Sequence, residues 1–251
     1  MTLSHRQKLA IAVLALYWPA LFVLAHIPIP RLVHNARVSD KTLHFLAYLI
    51  LVFLLWFAIS PDRKASWRRA ASWWVLLLLA VYGVIDELLQ GYVGRNCDVR
   101  DLGANLAGVL TGLILLSLFT FWPAALMVAG ATIFGLTNIT RTNLAKQLPT
   151  TMAMFHLFSY AAFTLLWIRY MRYRPSLRVS RAKWLVVALA LPTALLLIVK
   201  SFSIILGKEL VVKDIVLSVV GIAAVVVIIS LTALFRRTQS QAQDRRPQIK
   251  A

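Results

Sequence analysis

WWVLLLLAVYGVIDELLQGYVGRNCDVRDLGANLAGVLTGLILLSLF, from Trp73 to Phe119, decides how the whole chain is read. Two long apolar runs enclose a polar bend. Four of the chain's 9 acidic residues, Asp86, Glu87, Asp98 and Asp101, fall in it. A helix needs about 20 mostly apolar residues to cross a bilayer core, at a rise of about 1.5 Å per residue. The stretch therefore reads as two membrane helices joined by a polar connection.

Composition extends that reading to the rest of the chain. The 251 residues are 60% hydrophobic and 14% charged, with a mean hydropathy of +0.77. Soluble domains are nearer a quarter charged. The expected fold is all-α, a polytopic transmembrane helical bundle of eight spans. They run over Leu9–Ala25, Leu43–Ile59, Ala71–Leu89, Leu102–Phe121, Pro123–Thr137, Thr151–Tyr170, Trp184–Leu206 and Val212–Phe235. The first reads as a retained helix, because its apolar run exceeds the usual core of a signal peptide.

A formal net charge of +18 would suggest nucleic acid in a soluble protein. Here the basic residues lie between apolar runs, where they set topology and meet lipid headgroups, so no nucleic-acid partner is expected. The single cysteine, Cys97, excludes an intramolecular disulfide and any multi-cysteine metal site.

Basic residues crowd one face. They occupy the N-terminus (Arg6, Lys8), the loop with Arg63, Lys64, Arg68 and Arg69, the loop from Arg169 to Lys183, and the tail from Arg236 to Lys250. The positive-inside rule makes this face cytoplasmic, with both termini on it. Trp56, Trp67, Trp73, Trp74, Trp122, Trp167 and Trp184 fall near the same ends, as an interfacial belt would. The expected location is the bacterial cytoplasmic (inner) membrane, with the acidic bend facing outward.

The second half echoes the first. His44-Phe-Leu-Ala-Tyr48 resembles His156-Leu-Phe-Ser-Tyr160, and Asp101, Asn105 and Gly108 resemble Asp214, Ser218 and Gly221, at an offset of about 112 residues. Four spans per unit make the repeat parallel, a 4+4 arrangement. The expected divisions are 1–122, carrying the polar motif, 123–236, a second unit stripped of most of it, and a basic tail at 237–251.

Spacing selects the candidate site. Asp40, His44 and Tyr48 are four apart and share one helical face. Ser39 or Asp40 can cap that helix, which leaves His44 unexplained. Glu87 and Gln90 share a face at the end of the third span; Asp101, Asn105 and Gly108 share one on the fourth. Gly108 and Gly112 form a GxxxG pair, a signal for close packing. Taken singly, Asp98 is a loop acid beside Arg95 or Arg100, and Glu87 is a partner for Lys41. As a set they cost ~2.5–3.5 kcal/mol per charge at membrane depth, which favours function.

These motifs, DKxxHxxxY (Asp40, Lys41, His44, Tyr48), DExxQ (Asp86, Glu87, Gln90) and GRxxDxxDxxxNxxG (Gly94 to Gly108), resemble the VanZ-like membrane protein family over about residues 9–121. Family members often carry a proline after the glutamine; GYVGR has none and is shorter. The resemblance implies a membrane domain with an outward polar motif. The family takes its name from a protein associated with low-level resistance to teicoplanin, a glycopeptide.

Three functions compete. In the first, the protein binds or acts on an envelope lipid or lipid-linked polymer. His44 and Glu87 are then the acid/base candidates, with Asp40, Lys41, Tyr48, Gln90, Arg95, Asp98, Asp101 and Asn105 binding substrate. No metal is assigned and no cofactor identified, although Asp98 and Asp101 would suit Mg²⁺. The second is a transporter, which the one-sided cluster disfavours. The third is a structural membrane protein whose polar groups only join helices.

Overall fold

A computed structural model describes residues 5–26, 40–60, 63–93, 98–139, 149–173 and 181–244. These form eight α-helices: α1 His5–His26, α2 Asp40–Ile59, α3 Ala70–Tyr92, α4 Val99–Leu118, α5 Phe121–Phe134, α6 Pro149–Tyr173, α7 Arg181–Ile205 and α8 Val212–Asp244. Helix α5 runs on into a π-helical turn, Gly135–Ile139, which brings it to spanning length. All eight helices are long and apolar enough to cross a membrane. Only helices satisfy their own backbone groups in lipid, so this composition leaves little alternative.

Helices α2, α4 and α7 each start three residues ahead of the sequence expectation, α7 at Arg181 and not Trp184. Helix α2 opens at Asp40, not Leu43. Helix α4 opens at Val99, not Leu102, because Asp98 caps it: its carboxylate accepts the Arg100 backbone N–H at 2.9 Å. Hydropathy alone cannot see a cap made by a charged residue. Helix α8 continues past its apolar segment to Asp244.

Compact packing groups residues 1–149 with 199–210, and residues 150–198 with 211–251. A repeat boundary at Trp122 follows sequence register instead, so the two schemes divide the chain by different criteria.

In the first unit α2 is the core. Over its apolar window 56% of residues are buried, against 6% for α1. Helix α1 is tied to α2 by two polar contacts: Gln7 Nε2 donates to the Ala58 carbonyl at 2.9 Å, and Tyr17 OH to that of Ala47 at 3.0 Å. The α2–α3 connection folds onto the far end of α4, where the Ala65 N–H reaches the Leu116 carbonyl at 3.0 Å. Trp56 belongs to this anchor. It is buried, and its indole donates to the Arg63 carbonyl at 2.9 Å. It is a packing residue, unlike the exposed Trp67, Trp73 and Trp74, which suit a belt.

Helices α2 and α4 touch backbone to backbone at Gly108. A Cβ there would run into the Phe45 carbonyl oxygen and stand 3.1 Å from the Leu49 nitrogen. Close approach of this kind is what small residues permit between membrane helices. In the second unit, Gly221 of α8 meets α6 in the same way: a Cβ would strike the Leu157 carbonyl oxygen and stand 3.3 Å from the Ala161 nitrogen. Deeper in that unit Ile168, Ala188 and Val226 form an apolar core, and Trp167 donates to the Val187 carbonyl at 2.8 Å.

Gly108→Ala therefore forces α2 and α4 apart, at about 1–3 kcal/mol for overpacking. Thermal unfolding in nanodiscs should show a lowered Tm for this variant. Gly103→Ala is the comparison, because a Cβ at Gly103 meets nothing within 4 Å. Equal Tm values for the two variants would refute the contact.

Candidate functional site

Four helix ends meet in the first unit. The last turn of α1 brings His26, the first turns of α2 bring Lys41, His44 and Tyr48, the end of α3 brings Asp86, Glu87 and Gln90, and the start of α4 brings Asp98, Asp101 and Asn105. His44, Tyr48, Asp86, Glu87, Gln90, Asp101 and Asn105 are all buried. The helical spacing that selected these residues is what turns them inward.

At the centre His44 Nδ1 lies 3.0 Å from Asn105 Oδ1 and 3.8 Å from Glu87 Oε1. The other Glu87 oxygen accepts the Asp98 backbone N–H at 3.4 Å, which ties the end of α3 to the start of α4. Gln90 Nε2 donates to Asp86 Oδ2 at 3.1 Å, and His26 Nδ1 stands 3.9 Å from Asp86 Oδ1. Among the buried polar atoms here, Glu87 Oε1, Asn105 Nδ2 and the Tyr48 hydroxyl oxygen make no hydrogen bond. Orphaned polar groups at this depth are costly and mark a place built for something else.

Lys41 does not pair with Glu87. Its ammonium lies 3.2 Å from Asp98 Oδ2 and 3.3 Å from Asp101 Oδ1, so it joins the two acids of α4. The reason is position: Lys41 sits at the mouth of the cluster, level with the first turn of α4, whereas Glu87 lies a turn deeper beside His44. The same ammonium occupies the oxygens of the Asp98–Asp101 pair. A different trio has ligand spacing, since His44, Glu87 and Asp101 each offer one donor atom, all within 4.8 Å of one another.

Of the other sequence candidates, Asp40 is placed by its backbone as the first residue of α2. Arg95 and Cys97 lie outside the described residues. The structure also adds His26 and Asp86. Asp86 stood in the quoted motif without a role. Only its position at the end of the first span could have flagged His26.

An apolar groove of about 500 Å³ runs along α1 between Ile11 and Val23, walled by Leu14, Trp18, Pro19 and Phe22 with Tyr82 of α3. Tyr82 meets Trp18 edge-on, with ring centroids 5.2 Å apart, and lies 5.9 Å from the ring of Tyr48. The aromatic wall therefore continues from the groove to the residue one turn below His44.

Residues 9–120 match the family model described as VanZ/LLP1. These residues form a VanZ-like membrane unit. The match covers α1 to α4, the helices that carry the cluster; α5 to α8 lie beyond it. No curated protein and no solved structure matches the chain. The second unit holds a related but poorer arrangement next to the VanZ-like one's sequence echo: His156 Nε2 is 3.5 Å from Asp214 Oδ2, and its Nδ1 is 3.5 Å from Ser218 Oγ.

The Arg100 backbone N–H first, and Lys41 second, hold the Asp98 carboxyl below the usual carboxylate range. A group depressed on folding contributes stability that is full above its unfolded pKa and is lost as pH falls through the folded value. The Tm gap between the protein and its Asp98→Ala variant should thus be constant near neutrality and close below about pH 4. A gap that widens on acidification would contradict the assignment.

Proposed function

We propose that the VanZ-like unit binds an anionic cell-envelope lipid or lipid-linked polymer at the outer face of the bacterial inner membrane and performs acid–base chemistry on its headgroup. The observation that carries this reading is an apolar groove along α1 whose wall residue Tyr82 packs against Tyr48, a member of the buried, charged cluster. A groove of that size suits an acyl chain. Lys41, paired with Asp98 and Asp101, stands half-exposed at the mouth where a headgroup would enter, while the His44–Glu87 pair, 3.8 Å apart, is positioned to move a proton. The asymmetry of basic residues supports cytoplasmic termini and hence an outward site. A lipid-linked wall polymer is the substrate class that would connect such a site to glycopeptide (teicoplanin) resistance. The poorer polar set of the second unit supports one working site in a duplicated chain.

Native mass spectrometry of protein extracted with its own lipids tests the reading. The expected result is a co-purifying phosphate-bearing lipid that His44→Ala and Glu87→Gln each reduce more than tenfold at normal membrane expression. Full retention in both variants would sink it.

Orientation is tested separately at Cys97. A membrane-impermeant maleimide should label it in intact spheroplasts; labelling only in inverted vesicles would place the cluster on the cytoplasmic face.

A further inference from the structure

We propose that His44, Glu87 and Asp101 form a binding site for one divalent transition-metal ion. Helix α2 supplies an imidazole nitrogen, and α3 and α4 supply one carboxylate oxygen each. All three residues are more than nine-tenths buried, and their donor atoms lie within 4.8 Å of one another. Bonds of about 2.0–2.2 Å hold ligand atoms about 3–4 Å apart, so small side-chain rotations close the set.

A second observation points the same way. Glu87 Oε1 is buried, makes no hydrogen bond and faces His44 across 3.8 Å. Among the described residues, these ends of α1 to α4 hold five acids, Asp40, Asp86, Glu87, Asp98 and Asp101, against two permanent cations, Lys41 and Arg100. Lys41 is committed to Asp98 and Asp101. A buried carboxylate needs a proton or a cation beside it. A divalent ion between Glu87, Asp101 and His44 meets that need, sharing Asp101 with Lys41.

The donor set selects the ion class. Ca²⁺ and Mg²⁺ take oxygen ligands, whereas one imidazole with two carboxylates suits Mn²⁺, Fe²⁺ or Zn²⁺. Three protein ligands leave coordination positions open. The ion's role rests on the lipid reading: an anionic headgroup is repelled by these acids, and a metal ion with open positions lets phosphate oxygens approach. In the metal-bound protein His44 and Glu87 hold the ion, and it displaces the proton they would share. Binding itself does not depend on any lipid.

Mn²⁺ titration of the full chain in phosphatidylcholine nanodiscs, followed by electron paramagnetic resonance, tests the site without a lipid substrate. One saturable Mn²⁺ per chain is expected, with hyperfine coupling to an imidazole nitrogen. Glu87→Gln and Asp101→Asn should each weaken binding at least about tenfold, and His44→Ala should remove the nitrogen coupling. The nitrogen signature is read on the unaltered protein, so the proposal stays testable if a variant fails to fold. No saturable ion, an ion with no nitrogen coupling, or undiminished binding in folded variants would overturn it. Mn²⁺ binding without a co-purifying lipid would sink the lipid reading and leave the metal site standing.

Discussion

Because Gly108 has no side chain, α4 can lie directly on the backbone of α2, and the polar cluster depends on that approach. The contact is with Phe45, the residue next to His44. Asn105 and Asp101 follow one and two turns from Gly108 on the same face of α4, which sets them level with His44 and Lys41. Between membrane helices, lipid removes the hydrophobic drive and leaves packing and hydrogen bonds. A single close approach therefore fixes the register of two helices and every polar pairing built on them.

The third helix joins through a different bond. Glu87 accepts the backbone N–H of Asp98, itself the cap of α4. One carboxylate thus faces a histidine with one oxygen and a helix N-terminus with the other, where the macrodipole favours negative charge. Acids gather in the bend because the helix ends there supply N–H groups, an ammonium and imidazoles. The same residues would be unaffordable at mid-membrane.

The eight helices and the inward faces were legible in the sequence, since apolar length and three- or four-residue spacing carry that information directly. His44, Glu87, Asp101 and Asn105 were picked by spacing, and the structure brings them together. Pairing was not legible. Lys41 lies next to Asp40 in the chain but meets Asp98 and Asp101, and nothing in a single sequence says how far two helices are offset along their axes. Trp56 looked interfacial because it sits near a helix end, yet loop folding buries it. His26 carries no motif and becomes visible only through Asp86. Gly108 and Gly221 read as a repeat at the level of letters; each also meets a helix carbonyl in its own unit, Phe45 and Leu157.

Helix α1 is attached with unusual economy. Few of its side chains are fully buried; Gln7 and Tyr17 bond it to α2, and Trp18 and His26 face Tyr82 and Asp86 of α3. Moving it aside would give up these contacts, with lipid tails replacing part of what is lost. The groove would then open sideways, as a gap between two staves of a cask, along the plane of the bilayer. An amphiphile entering by that route keeps its tail in hydrocarbon throughout and never crosses water, so the loosest helix of the bundle is also its natural door.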